Sequence, residues 1–327
     1  MSPDSRSTVL RLHPLLEPGQ SMLAEAFELV LPESGPALDG RQIARAADRC
    51  QGIVSLITDP IDESVLSVPG LRMVANVGVG FDNIDVAAAT RAGVMVTNTP
   101  GVLDQSTADF AFALLMAAAR RLVEGDRLVR RGAFSGWALD MLLGADVHGA
   151  TLGIIGMGRI GRAMAARARG FQMRVLYQSR TPLSEAEERA LQVQRCSLDE
   201  LLGQADFVSL HVPLNPETRH LIGAPELLLM KPSAILINTS RGAVVDEAAL
   251  AAAISQRTIA AAGLDVFEHE PAVEPALIAS PAVVLAPHLG SASIQTRGRM
   301  CEIAVSNLID GLGGRRPQSL VNPEVLE

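Results

Sequence analysis

The sequence predicts a two-domain α/β protein built on parallel sheets, the larger sheet doubly wound. Three observations predict it. The chain has 327 residues, more than one hydrophobic core ordinarily serves. From Thr151 onward, short apolar runs alternate with helix-like segments, as in βαβ units. Within that alternation, "GIIGMGRIG" sets a glycine-rich turn directly between a strand and a helix.

The elements follow in order. In the first hundred residues "QGIVSLIT", "LRMVANVG" and "GVMVTNTP" read as strands with helices between them, giving a smaller, flavodoxin-like α/β unit. One long helix is expected from about residue 105 to 131. Its stretch "AFALLMAAARR" is too short to span a membrane and breaks at Arg120 and Arg121, so it reads as part of a buried helix. Then "LGIIG", "RVLYQ", "DFVSLH", "AILINT", "AAGLD" and "AVVLAPH" read as buried parallel strands. Residues 160–169, 184–191 and 247–255 supply helices between them, completing a Rossmann-type doubly wound sheet. Residues 293–311 are helical in pattern and are expected to return to the N-terminal unit. The expected division is therefore 1–103 with 292–327 against 104–291, with the active site between the lobes.

Composition narrows the function. The formal net charge is −8 and arginines are dispersed among acids, which argues against nucleic acid and anionic membranes as partners. Cys50, Cys196 and Cys301 form no CxxC pair, so neither a disulfide framework nor a metal site is expected, and a reducing cytoplasm fits. The N-terminus lacks the apolar core of a signal peptide, and no apolar run reaches membrane-spanning length.

In "TLGIIGMGRIG", Gly156, Gly158 and Gly161 provide a tight turn, close approach to a pyrophosphate, and close strand–helix packing. Arg159 and Ile160 open the following helix, whose free amides and partial positive charge suit a diphosphate. A dinucleotide cofactor follows from this context.

Polar residues at the carboxyl ends of later strands carry the chemistry. Arg241 follows "AILINTS", Glu270 follows "GLDVFEH" and His288 follows "VVLAP", on the sheet edge where such folds bind ligands. Arg241 can hold a carboxylate and polarise a neighbouring carbonyl. His288 can give a proton to the carbonyl oxygen, and Glu270 can orient the imidazole and favour its protonated form. Such a trio suits reduction of a 2-keto acid. Asp265 ends its own strand, placed to hold a nicotinamide. His211 reads as a wall of the cofactor pocket, and Glu268 competes with Glu270 for the carboxylate role.

The blocks "NVGVGFDNID", "GIIGMGRIG", "HVPLNPET", "INTSRGAVVDEAAL", "GLDVFEHEP" and "APHLGSAS" together resemble the D-isomer-specific 2-hydroxyacid dehydrogenases. "LGADVHGATLGIIGMGRIGRAMA", "SEAEERA" and "VNPEV" most resemble the bacterial glyoxylate/hydroxypyruvate reductases that also take 2-ketogluconate. The resemblance implies hydride transfer to a small 2-keto acid, giving the D product, with Arg241, Glu270 and His288 catalytic. It selects Glu270 over Glu268, because the family's Glu precedes Pro. It also implies substrate carboxylate binding at the Val79 and Gly80 amides, and cofactor contacts at Thr107, Pro213, Thr218, Thr239 and Gly290. Residues 1–103 and 292–327 would form the substrate domain, and 104–291 the dinucleotide domain. A homodimer is implied, with Trp137 either reaching the partner's site or packed in its own chain. Related alternatives are an NAD-dependent dehydrogenase of the phosphoglycerate or phosphite type, and a dinucleotide-sensing corepressor.

One departure points to NADPH. NAD-specific relatives carry Asp where this chain has Ser179, about twenty residues past the fingerprint. Ser179 can donate to a 2′-phosphate, and the Arg180 guanidinium matches a phosphate dianion in charge and geometry.

Overall fold

The computed structural model describes residues 6–32 and 38–327. The chain divides into two compact units, Met1–Leu103 with Ala292–Glu327, and Asp104–Ser291.

The first unit holds β1 (Thr8–Arg11), β2 (Glu28–Val30), β3 (Gly52–Leu56), β4 (Met73–Val77) and β5 (Met95–Thr97). All four pairings are parallel, in the order β2-β1-β3-β4-β5. This is the flavodoxin-like order. Ile43, Val65 and Ala89, from the helices Gly40–Ala46, Glu63–Leu66 and Val86–Arg91, bury one face with Leu10, Ile53 and Val74. The helix Ile294–Leu312 packs with the helix Gly19–Ala26 and with β4.

The second unit holds β6 (Thr151–Ile155), β7 (Arg174–Gln178), β8 (Val193–Arg195), β9 (Phe207–Leu210), β10 (Ile235–Asn238), β11 (Ala261–Leu264) and β12 (Val283–Leu285). The seven-stranded parallel sheet runs β12-β11-β10-β9-β6-β7-β8, so strand order reverses between β6 and β9. That is the Rossmann arrangement and its ligand-binding switch point. One face is covered by the helices Asp104–Ala119 and Arg159–Gly170, packed on Ile154, Phe207 and Ile237. The other is covered by the helices Leu198–Gln204, Ala224–Leu229 and Glu247–Ser255 over Ile155, Val208 and Leu236. Gly153 in β6 permits this closeness, since a Cβ there would lie 2.4 Å from Leu201. No described helix is long and apolar enough to cross a membrane.

The single long helix expected over residues 105–131 is two helices, Asp104–Ala119 and Leu122–Arg130. Arg121 breaks it by taking a left-handed conformation, φ 50°, and its guanidinium grips Glu124 at 2.8 and 2.7 Å. The first helix is buried as "AFALLMAAARR" suggested, whereas the second buries none of its residues. Strands β1, β2 and β8 were not anticipated. Each is three or four residues long with at most two consecutive buried positions, too short for a periodic signal.

Candidate active site

The glycine turn joins β6 to the helix Arg159–Gly170, and each glycine meets a different demand. Gly156 has φ +98°, and a Cβ would sit 2.5 Å from the carbonyl oxygen of His211 at the end of β9. Gly161 lets the helix press on the turn, because its Cβ would lie 2.1 Å from the Gly156 oxygen. Gly158 differs: a Cβ there would meet nothing within 4 Å. Gly158 is also the helix N-cap, and no side chain caps the amides that follow. Open space beside bare helix amides fits a pyrophosphate. Ile160 is half-buried and Arg159 exposed.

Past β7, Ser179 is half-buried and Arg180 exposed. Two acids that follow in the chain bind other arginines: Glu185 pairs with Arg189, and Glu187 with Arg162. Three hydrogen bonds from Ser184 and Arg162 pull the Glu187 carboxyl down to about 2. Tyr177, wholly buried on β7, donates its hydroxyl to Glu188 at 2.6 Å and accepts the Leu183 amide at 3.0 Å. That phenol closes the loop carrying Ser179 and Arg180.

His211, at the switch point, accepts or donates to the Ser209 hydroxyl at 2.9 Å. Burial pushes its pKa down to about 4, so the ring is neutral at ordinary pH, as a pocket wall should be. Thr218 donates to the Pro213 carbonyl at 2.6 Å and receives the Asn215 amide, fixing the loop after β9. Thr239, just past β10, has a buried hydroxyl with no partner among the described residues. An orphaned hydroxyl on this edge fits a cofactor donor or acceptor. Thr107 and Gly290 adjoin each other, and Ser106 donates to the Gly290 carbonyl at 3.0 Å.

Arg241, Glu270 and His288 lie beyond β10, β11 and β12 on the carboxyl edge. Asn238 shapes the Arg241 turn: its Oδ1 accepts Ser240 N–H at 3.0 Å, and its Nδ2 donates to the Arg241 carbonyl at 2.9 Å. Gly242 lets this turn lie on the next, since a Cβ would fall 1.8 Å from the Phe267 carbonyl carbon. His288 has φ 56° and donates its amide to the Asp265 carbonyl at 2.8 Å. Asp265, 1% exposed, accepts the Leu289 and Gly290 amides at 2.6 and 2.7 Å. Burial pushes its carboxyl above the usual carboxylate range, and those two amides oppose the rise.

Glu270 and His288 meet. Glu270 Oε2 lies 3.1 Å from His288 Nδ1, while Oε1 accepts the Phe267 amide at 3.0 Å. Burial pushes the Glu270 carboxyl up, but the bonds to His288 and Phe267 and the charge of Arg241 hold it below the usual range. Glu268 turns away, bonded to Arg219 at 2.9 Å and His220 at 2.7 Å. Geometry thus separates two acids that composition could not.

In the first unit, the turn after β4 holds Val79 and Gly80. Their carbonyls accept Asn98 and Asn76 side chains, each at 2.8 Å. Neither amide donates to an acceptor among the described residues. Trp137 is 80% exposed, so it does not pack within its own chain. Tyr177, Asn238 and Glu268 were missed as supports; only Asn238, two residues before a serine, carried an Asx-turn signal.

Residues 112–290 match the family model for the D-isomer specific 2-hydroxyacid dehydrogenase NAD binding domain. The chain is 52% identical over 314 residues to a glyoxylate reductase of Korarchaeum cryptofilum, covering 95% of this chain and 94% of that protein. It is 48% identical over 315 residues to the glyoxylate reductase of Thermococcus litoralis, covering 95% of each. The crystal structure of TT0316 protein from Thermus thermophilus superposes with a TM-score of 0.90 at 43% identity, covering 96% of this chain and 99% of that one. The NADPH-dependent glyoxylate/hydroxypyruvate reductase of Sinorhizobium meliloti, crystallised with NADP and malonate, gives 0.86 at 34% identity, covering 98% of each.

Proposed function

Because the chain belongs to the D-isomer specific 2-hydroxyacid dehydrogenase family, we propose that it reduces glyoxylate and hydroxypyruvate, with 2-keto-D-gluconate as a further substrate, using NADPH in preference to NADH. The product is the D-2-hydroxy acid. The observation that carries the reading is the Glu270–His288 hydrogen bond at the carboxyl edge of a dinucleotide-binding sheet.

A reduced nicotinamide supplies a hydride to the keto carbon. Arg241 binds the substrate's carboxylate and polarises its carbonyl with a permanently charged fork. His288 gives its Nε2 proton to the carbonyl oxygen as the alkoxide charge develops, and Glu270 on Nδ1 favours the imidazolium that gives it. The unclaimed Val79 and Gly80 amides suit a carboxylate, which supports Met1–Leu103 with Ala292–Glu327 as the substrate domain. Gly158, the bare helix start and Thr239 would hold the dinucleotide. Asp265 would meet the nicotinamide end, from the strand that also fixes His288. Ser179 and Arg180 would receive the 2′-phosphate, with Glu185 and Glu187 paired to other arginines.

A homodimer is part of the reading. Leu122, Val129, Phe134, Trp137, Leu139 and Leu143 are 52–80% exposed on one stretch of the dinucleotide unit, and a second copy would cover them. Three unpaired thiols, Cys50, Cys196 and Cys301, suit a reducing cytoplasm.

The test is cofactor oxidation with glyoxylate, hydroxypyruvate and 2-keto-D-gluconate, each with NADPH and NADH. Turnover of the first two, faster with NADPH, is expected. No turnover of any of the three would remove the substrate assignment.

A further inference from the structure

Glu247 opens the helix Glu247–Ser255 and is 8% exposed. The helix start does not need it, because Asp246 already caps the helix by accepting the Ala249 amide at 2.9 Å. A buried carboxylate is costly unless hydrogen-bonded, so its partners indicate its purpose. Its Oε1 accepts the Glu268 amide at 2.6 Å, and the nearby Glu274 backbone also favours its charged form. The Glu268 amide opens residues 268–274, the loop that carries Glu270. Burial and the nearby charge of Glu268 push the Glu247 carboxyl up, and the Glu268 and Glu274 backbone and His269 oppose that rise. Elsewhere the same loop is held by Arg219 and His220 on Glu268, and by Gly242 against Phe267.

We infer that Glu247 is a positioning residue for the reduction: by holding the Glu268 amide at the start of the 268–274 loop it keeps the Glu270 carboxylate on His288 Nδ1. The inference rests on the reading of Glu270 and His288 as the acid pair. If the loop slips, Glu270 leaves Nδ1 and the imidazole loses the charge that favours its proton. Displacements of about an ångström remote from the chemistry can cost up to about a hundredfold in rate. Of the charged groups on this sheet edge, Glu270 acts on His288 through the hydrogen bond, Asp265 through its charge, and Arg241 through Glu270. Glu247 touches none of the reacting atoms, so its effect must pass through Glu270.

The experiment uses the full-length enzyme with Glu247→Ala, Glu247→Gln, Glu270→Gln and the Glu247→Ala/Glu270→Gln double variant. It reads kcat against pH for glyoxylate reduction, KM for glyoxylate, and NADPH Kd by fluorescence. Expected for Glu247→Ala are an alkaline limb moved to lower pH and a kcat lowered by up to about tenfold at alkaline pH, with NADPH Kd unchanged. Glu247→Gln, which keeps an acceptor for the Glu268 amide, should recover most of both. In the Glu270→Gln background the Ala substitution should add little, because its target is already gone. Should Glu247→Ala not fold, Glu247→Asp, which withdraws the carboxylate by one methylene, should show the same shifted limb in smaller degree. Additive losses in the double variant, or a lower kcat with an unmoved limb, would overturn the inference alone. A Glu270→Gln enzyme indistinguishable from wild type would overturn the acid pair and this inference with it.

Discussion

Replacing Glu270 by Gln removes its charge and one of its two acceptor oxygens. The amide oxygen can still accept either the Phe267 N–H or His288 Nδ1–H, the 3.0 and 3.1 Å contacts of the carboxylate, but not both. What disappears is the charge-assisted part of the bond to His288, for which about 1.5–3 kcal/mol is usual. The two side chains are 31% and 28% exposed, so solvent screening puts the effect at the lower end, about 1.5 kcal/mol. At 1.36 kcal/mol per decade this is about tenfold. The sign follows from the native state. Glu270 is held below the usual carboxylate range, so it is ionised near neutrality and favours the protonated imidazole. Reduction consumes that proton, so its rate falls as pH rises and the imidazole empties. In Glu270→Gln the fall should begin at lower pH, leaving kcat about tenfold lower at alkaline pH, while the rate on the acid side of the limb stays near wild type. The assay is kcat for glyoxylate reduction at saturating NADPH from acid to alkaline pH. An alkaline limb that stays in place would refute the pairing as the source of the proton's stability.

Other expectations follow from the same geometry. His288→Ala should lower kcat by about 10²–10⁴-fold with dinucleotide binding nearly intact; near-full activity would reject it as the acid. Arg241→Ala should raise KM and lower kcat together in steady-state kinetics, since one guanidinium binds and polarises. For Arg180→Ala, the ratio of kcat/KM for NADPH over NADH should drop about tenfold or more, and an unchanged ratio would remove the phosphate contact. In light scattering the wild type should be a dimer, and Trp137→Ala should weaken it if the exposed apolar stretch is its interface.

The sequence by itself determined the architecture. Buried parallel strands must be continuous apolar runs, so "LGIIG", "RVLYQ", "DFVSLH" and "AILINT" stood out and appear as β6, β7, β9 and β10. Gly156 and Gly161 were equally legible, because only glycine tolerates carbonyl oxygens 2.5 and 2.1 Å from where a Cβ would be. Short elements escaped: β1, β2 and β8 take their hydrogen bonds from neighbours distant in the chain, and local pattern does not record those. The break at Arg121 escaped too, since a single left-handed residue leaves the apolar spacing on either side intact. The resemblance selected Glu270 by the Pro that follows it; what folding adds is the placement of Glu270 against His288 and of Glu268 away from it. Glu268 and Glu270 are two residues apart with the same chemistry, and composition gives neither priority. Their roles divide because Arg219 and His220 draw one carboxylate away, while Gly242 and Glu247 hold the loop that sets the other on the imidazole. Those partners come from β9, β10 and β12 loops brought to one sheet edge by folding, a proximity that no stretch of sequence contains.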